Sequence, residues 1–166
     1  MIHAPTFIVS RLDYCNALLY GVSDRLMCLQ SVQNAAARLV TGARWCDHIT
    51  PILRQLHWLP VWQHVLFKIA VLVFQCLAGQ APSYLSDDCQ LVSDSRPRRL
   101  RSSDSLSCVV RLAHNTYGDR CFATAGPRVW NSLPAELQQC SSLKQFKRSL
   151  KTYLFRSWDY GALWLL

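Results

Sequence analysis

The chain has 166 residues, of which 51% are hydrophobic and 17% are charged. This length fits one globular domain or two small lobes. The composition excludes a disordered polypeptide, because there are enough apolar side chains to bury a core. The formal net charge of +8 at pH 7 favours an anionic partner such as a nucleic acid or an acidic membrane surface, although many basic surfaces are only solvated.

Eight cysteines are spread along the chain without a close pair or a CxxC motif. The first residues, MIHAPTFIVS, lack the charged start and the long apolar segment of a signal peptide. We therefore expect reduced, mostly buried cysteines in an intracellular protein of the cytoplasm or nucleus, not a secreted one. The longest apolar stretch, VLFKIAVLVFQCLAG, is interrupted by Lys68 and Gln75 and is shorter than the roughly 20 residues of a membrane span, so no membrane partner is expected.

The first part of the chain has the apolar spacing of helices. A short helix is expected over residues 13–20, and a longer one over SDRLMCLQSVQNAAARLVTG, with Ser23 or Asp24 as its cap and Gly42 as its stop. Helical spacing predicts that its core face consists of Leu26, Leu29, Val32, Ala36, Leu39 and Val40. The opposite face, predicted to be exposed, carries Gln33, Asn34, Ala37, Arg38 and Thr41.

The next helix is predicted at TPILRQL, with Thr50 as cap and Pro51 at the first helical position, where the missing N–H of proline costs nothing. Pro60 separates it from the following helix, because the residue before a proline is pushed out of the α region. That following helix, residues 62–77, ends before Gly79.

The polar residues of the helix over 62–77 form one narrow stripe of His64, Lys68 and Gln75. A helix that is otherwise apolar must be buried on most sides. We therefore expect it to be the central helix of the domain.

Regular spacing is lost in SDDCQLVSDSRPRRLRSSDSLS, which predicts a functional or mobile loop over residues 86–107. CVVRLA is compatible with a short strand and NTYGD with a turn at Gly118. The pattern of the C-terminal lobe is therefore compatible with a short β-hairpin. CFATAGPRVWNSLP predicts a short helix interrupted near Pro127. SSLKQFKRSLKTYLF predicts a final helix capped by Ser141 or Ser142.

No stretch has the spacing of a catalytic or metal-binding motif. His48, His57 and His64 lie nine and seven residues apart across a proline, which matches neither a zinc hydrolase nor a structural zinc site. The adjacent pair Asp87 and Asp88 lies in the loop, without the converging carboxylates of a polymerase or nuclease. GxSxG motifs and glycine-rich phosphate loops are absent. The sequence thus predicts no catalytic residue, no metal site and no cofactor.

Two basic clusters are the stronger functional signal. The final helix places an apolar stripe on one side and cations on the other. The predicted nucleic-acid-binding residues are Lys144, Lys147, Arg148 and Lys151 in that helix, with Arg96, Arg98, Arg99 and Arg101 in the loop. Such clusters suit phosphate contacts, which need no base-specific geometry. An ordinary solvated helix face and a soluble loop remain the alternative interpretation.

Six sequence motifs occur in a recognisable order along the chain. They are SRLDYCNALLYGV, LQSVQNAAARLVTG, DHITPILRQLHWLPVWQHVLFKI, LAGQAPSYLSD, RLRSSDSL and TYGDRCFATAGPRVWNSLPAEL. They resemble the region downstream of the reverse transcriptase catalytic domain in the polyproteins of LINE-type, jockey-like non-LTR retrotransposons. The similarity runs over residues 10–155.

The resemblance implies where the activities of the parent polyprotein lie. Its polymerase is an RNA-directed DNA polymerase whose upstream palm carries paired aspartates, and its endonuclease is a separate domain. This chain has no aromatic-x-Asp-Asp motif, so it is expected to be no enzyme by itself. Some related elements have a zinc knuckle, which the cysteine spacing here does not support. The C-terminal region of the family is presumed to hold template RNA or target DNA, which gives the basic clusters a role.

The predicted organisation is mainly α: a small, thumb-like helical bundle over residues 10–85, an arginine- and serine-rich loop over 86–107, and a smaller α-rich lobe over 108–156. Residues 157–166 form a hydrophobic tail that is atypical of the family. The preferred hypothesis is a non-catalytic fragment from a truncated element copy that binds RNA or single-stranded DNA.

Two other hypotheses stay open. One is a protein-interaction module, either a domesticated fragment or a piece that packs on the missing upstream polymerase domain, and an exposed apolar patch would distinguish it. The other is a small metal-dependent hydrolase, which would require stoichiometric zinc that is lost on replacing His57 and His64.

Overall fold

The computed structural model describes residues 10, 16–95, 106–111 and 118–159. Over these residues the protein is mainly α-helical, as predicted. Its α-helices are α1 (Ser23–Thr41), α2 (Ile49–Gln55), α3 (Val61–Leu77), α4 (Ser83–Ser86), α5 (Val92–Ser95), α6 (Phe122–Asn131), α7 (Ala135–Gln138) and α8 (Leu143–Asp159). Short 3-10 helices cover Asn16–Leu19 and Gly118–Arg120.

The chain divides into two compact units within α3. The first unit ends at Val65 and the second begins at Leu66. The predicted segment limits at residues 85, 107 and 156 stay a prediction. The predicted loop arginines (Arg96, Arg98, Arg99 and Arg101) and the end of the predicted tail (160–166) lie outside the described residues.

In the first unit, α1 begins one residue earlier than the predicted caps allow. Val22 occupies the N-cap position and offers no side-chain hydrogen bond, so the prediction of Ser23 or Asp24 as cap is wrong. The C-terminal stop is confirmed: Gly42 adopts a left-handed φ of 70°, and its backbone N–H donates to the Arg38 carbonyl. Glycine adopts this conformation at no steric cost.

The face that α1 buries is rotated from the predicted one and shares only part of it. Leu26 and Ala36 are buried as expected. However, the predicted surface residues Gln33 and Ala37 are buried, with Gln33 only 3% exposed. The predicted core residues Val32 and Leu39 are 55% and 84% exposed.

Hydrogen bonds at the start of α3 explain why α1 buries the polar side chain of Gln33. The Gln33 side chain donates to the Leu59 carbonyl at 2.9 Å, and the Gln30 side-chain oxygen accepts from the Val61 backbone N–H at 2.9 Å. Pro60 lies between these two backbone groups, and the first N–H groups of a helix have no intrahelical partner. The two glutamines thus satisfy backbone groups that would otherwise be buried unpaired.

Helix α2 starts before the predicted position. His48 is its N-cap and Ile49 its first residue, so Thr50 is not the cap and Pro51 is the third helical residue. Proline is tolerated there because the N–H groups of the first turn have no acceptor within the helix.

In the second unit, α3 is buried along most of its length, as predicted. Phe74 of this helix stacks on Phe146 of α8, with ring centroids 4.6 Å apart. Trp130 of α6 lies 5.8 Å from Phe146 and 6.4 Å from Phe74. Such aromatic packing contributes about 0.5–1.5 kcal/mol per pair beyond the area buried. These three rings form the aromatic centre of the unit.

Helix α6 runs through Pro127 without the predicted interruption. Proline removes one helical hydrogen bond, but Pro127 and Trp130 are both buried. Gly126 approaches α3 closely: a Cβ at this position would lie 3.1 Å from Val73 Cγ2. Burial of this face therefore offsets the lost hydrogen bond.

The described part of the predicted strand, residues 108–111, pairs only through one antiparallel β-bridge between Leu91 and Cys108. On its other side, the Asn131 amide accepts from the Cys108 N–H at 2.8 Å and donates to the Cys108 carbonyl at 2.9 Å. The Trp130 indole N–H donates to the Leu106 carbonyl at 2.6 Å. Side chains of α6 thus take the place of a second paired strand.

Candidate nucleic-acid interface

Helix α8 positions the predicted basic residues of the second unit. Ser142 caps it, accepting from the Gln145 backbone N–H at 3.2 Å, which confirms one of the two predicted caps. Phe146, Leu150 and Leu154 are buried at a spacing of four residues. This spacing places them on one side of the helix, which holds α8 against the core of its unit.

Three of the predicted cations of α8, Lys144, Arg148 and Lys151, lie on the other side of the helix, and Lys147 lies at the edge of the buried side. Lys144, Lys147, Arg148 and Lys151 are all exposed. The sequence from Leu143 to Trp158 contains no aspartate or glutamate, so no i,i+3 or i,i+4 ion pair within this stretch neutralises them. The result is an exposed helix surface that carries four like charges.

Two aromatic side chains extend this face toward the C-terminus. Phe155 and Trp158 continue the 4-3-4-3 spacing that begins at the lysine end of the helix, and we name this row the basic–aromatic stripe: Lys144, Arg148, Lys151, Phe155 and Trp158. The Lys151 ammonium lies 5.9 Å from the Phe155 ring centroid. The Phe155 and Trp158 centroids are 6.5 Å apart, and both side chains are half-buried.

The predicted helix ended at Phe155, so sequence reasoning left Trp158 outside it and did not group Phe155 with the cations. The structure continues α8 to Asp159, which brings Trp158 into register with the cations. The signal was present in the spacing, since residues seven apart lie on the same helix face.

The paired aspartates of the predicted loop are not a metal-binding carboxylate set. Arg111 forms an ion pair with Asp88 at 3.2 Å and donates to the Asp87 carbonyl at 3.2 Å. Among the described residues, no group of three or more histidine, cysteine, aspartate or glutamate side chains is arranged to hold a metal ion.

Two of the three clustered histidines, His48 and His57, lie at the two ends of α2. His48 occupies the N-cap position of α2. His57 adopts a left-handed φ of 54°: its N–H donates to Arg54 and the Trp58 N–H donates to Leu53, both at 2.9 Å. This pattern is a Schellman motif, which ends helices. The end of this helix at Gln55 lies within one residue of the end of the predicted segment TPILRQL. His64 lies half-buried in α3.

Three buried cysteines of the second unit, Cys76, Cys89 and Cys108, lie near one another. Burial raises the pKa of all three thiols above the ordinary value, and that of Cys108 to about 11. Protonated thiols are weak nucleophiles. A cleft of about 610 Å³ beside them is lined by Cys76, Leu77, Ser86, Asp87, Cys89, Gln90 and Leu91. Its lining holds no histidine to act as a base toward a thiol.

The remaining cysteines of the described ranges lie nearer the surface. Cys28, Cys46 and Cys121 are exposed and Cys140 is half-buried. The prediction that the cysteines are mostly buried is therefore wrong for this part of the chain.

Helix α1 of the first unit presents an exposed apolar row. Cys28, Val32, Ala35 and Leu39 are all exposed and follow a 4-3-4 spacing, which places them on one face. We name this row the α1 apolar stripe. Trp45, 82% exposed, follows the helix, with the Arg38 guanidinium 5.1 Å from its ring centroid.

Comparisons with known proteins give no relative. No family model, no curated protein and no solved structure matches the chain. The retrotransposon resemblance of the sequence therefore stays a prediction. Within the ranges that the structure describes, none of the helices combines the length and the apolar character that crossing a membrane requires.

Proposed function

We propose that the chain is a non-catalytic, C-terminal piece of a non-LTR retrotransposon reverse transcriptase polyprotein, from a truncated element copy, which binds RNA or single-stranded DNA through α8. The observation that carries the binding proposal is the exposed face of Lys144, Lys147, Arg148 and Lys151. The family assignment rests on the ordered phrases of the sequence, and the binding proposal rests on charge and exposure.

The physical basis of binding is phosphate neutralisation. Each lysine or arginine that contacts a phosphate releases a condensed counterion, and this release supplies most of non-specific affinity. A rigid helix held by Phe146 and Leu150 presents its cations at fixed intervals along about 10 Å from Lys144 to Lys151, since a helix rises about 1.5 Å per residue.

The test is a charge-matched comparison of two quadruple variants. In the first, Lys144, Lys147, Arg148 and Lys151 become glutamine. In the control, the exposed residues Arg44, Arg54, Arg111 and Arg120 become glutamine, which removes the same total charge from other places. We expect affinity for a labelled RNA at low salt to fall at least tenfold in the first variant and much less in the control. Equal losses, or no binding by the wild type, would reject the proposed interface.

A second function is favoured by the α1 apolar stripe. Val32 and Leu39 are more than half exposed, and a contiguous exposed apolar face is typical of protein–protein contacts. On this alternative the chain is a protein-interaction module whose partner is the upstream polymerase domain of the parent polyprotein.

Co-expression with that upstream segment tests the alternative. Val32→Glu combined with Leu39→Glu should abolish co-purification, because two charges would be buried in the contact. Met27→Glu is the matched control, since Met27 is 71% exposed but lies off the stripe. Co-purification that survives the double change would exclude α1 as the contact.

A further inference from the structure

The two ends of the basic–aromatic stripe on α8 differ in chemistry. Its first three members (Lys144, Arg148 and Lys151) are cations, and its last two (Phe155 and Trp158) are aromatic. Cations contact phosphates, which every nucleic acid offers along its backbone. Aromatic rings contact base faces, which are available only where bases are unstacked. The two ends of the stripe thus select different parts of a ligand.

We infer that the ligand of this stripe is single-stranded nucleic acid, with phosphates along the three cations and the following base stacked at Phe155 and Trp158. This inference rests on the proposed nucleic-acid binding and deepens it by assigning the preference for single strands to base stacking at Phe155 and Trp158. RNA and single-stranded DNA share the required chemistry, a phosphate chain with accessible base faces.

The contact between Lys151 and Phe155 links the two halves of the stripe. The Lys151 ammonium lies 5.9 Å from the Phe155 centroid, and one helical turn separates the two residues, a rise of about 6 Å. A phosphate bound by Lys151 therefore leaves its own base within reach of the Phe155 ring. The ring planes of Phe155 and Trp158 are tilted by 41°, so the two rings face in different directions.

A duplex cannot use the aromatic end of the stripe in this way. Its bases are stacked on their neighbours, and their faces are closed to side chains except at the ends or after flipping. The cations would still contact duplex phosphates. The stripe should therefore bind a single strand more tightly than a duplex of equal length, and the difference should come from the rings.

The test measures affinity for four labelled ligands about twelve nucleotides long, which is within the range of single-stranded site sizes. They are oligo(dT), oligo(U), a blunt duplex and an abasic deoxyribose-phosphate strand. We expect the wild-type chain to bind oligo(dT) and oligo(U) about tenfold more tightly than the abasic strand, because a base that stacks on an aromatic ring adds affinity that the abasic strand lacks. This comparison needs no variant and so does not depend on one folding.

Variants then assign the difference to the rings. Phe155→Leu with Trp158→Leu should lower affinity for both base-bearing single strands about tenfold and leave the abasic strand unchanged. Phe155→Tyr with Trp158→Phe, which keeps both rings, should restore binding. Trp45→Leu removes an exposed indole outside α8 and should change nothing.

The possible results separate this inference from the proposed function. Wild-type affinity that is equal for oligo(dT), the duplex and the abasic strand would overturn the inference. It would still agree with binding through phosphate contacts alone. Equal losses on the abasic and base-bearing strands in the leucine variant would also overturn it, since the rings would then only support the helix. Absence of binding to all four ligands at low salt would reject the proposed function and this inference together.

Discussion

At the residue scale, two glutamines decide how α1 is oriented in its unit. Gln33 is buried and donates to the Leu59 carbonyl, while Gln30 accepts from Val61. A buried backbone group without a partner costs about 1–3 kcal/mol. That cost is comparable to the gain from burying an aliphatic side chain. The hydrogen bonds that Gln33 and Gln30 form on either side of Pro60 can therefore outweigh the burial of Val32 and Leu39.

Gln33→Leu tests this orientation. The substitution leaves the Leu59 carbonyl without its side-chain donor, so we expect the free energy of unfolding in urea to fall by about 1–3 kcal/mol. Ser31→Leu, at an exposed position of the same helix, should change it by less than about 0.5 kcal/mol. An unchanged free energy of unfolding in Gln33→Leu, like that of the Ser31→Leu control, would show that residue 33 is exposed as the sequence predicted.

His57 gives a second prediction at this scale. Its φ of 54° is tolerated by glycine without cost, whereas a β-branched side chain is strained there. We expect His57→Gly to keep the wild-type thermal midpoint or raise it, and His57→Val to destabilise by about 1–2 kcal/mol. Thermal unfolding followed by circular dichroism measures both. Equal effects of glycine and valine would mean that the imidazole itself, and not the backbone angle, matters at this position.

At the element scale, helix positions were predictable from sequence, but the buried face of α1 was not. Gly42 ends α1, and Pro60 and Gly79 mark the two ends of α3. These limits follow from the local backbone preferences of glycine and proline, which can be recognised in the sequence. The buried face of α1 depends instead on backbone groups of residues 59 and 61, which are distant in sequence. Pro127 was misread for the same reason, because burial of α6 against α3 outweighs a local helix-breaking tendency.

The close approach of α6 to α3 gives the prediction at this scale. Gly126→Ala would place a Cβ 3.1 Å from Val73 Cγ2 and 3.2 Å from the Phe122 ring. Overpacking of a buried contact costs about 1–3 kcal/mol, and urea denaturation should show a loss in this range.

Val73→Ala in the same chain is the diagnostic partner. It removes the methyl group that the new Cβ meets, so the double variant should lose less stability than the sum of the two single variants. Strict additivity would contradict the contact between α6 and α3.

The candidate interface was half predictable. The cations of α8 follow from a strict apolar period, which also places their face away from the core. Trp158 required the true end of the helix, and helix ends are the least certain feature of a sequence pattern. The role proposed for the loop arginines lies outside the described residues and stays a prediction.

At the scale of the whole molecule, the two units offer surfaces of different chemistry. The second unit presents the cations of α8, and the first presents the α1 apolar stripe. A net charge of +8 favours association with any polyanion, so affinity alone does not locate a binding surface. The dependence of affinity on salt does, because it counts the phosphates that a particular set of cations neutralises.

The most direct test is therefore the slope of log affinity against log salt concentration for single-stranded RNA. Single strands lose about 0.7 in slope for each phosphate contact, so replacing Lys144, Lys147, Arg148 and Lys151 by glutamine should make the slope shallower by about 3. The control variant with four other arginines replaced should keep most of the wild-type slope. An unchanged slope in the α8 variant would contradict the claim that this helix is the nucleic-acid interface.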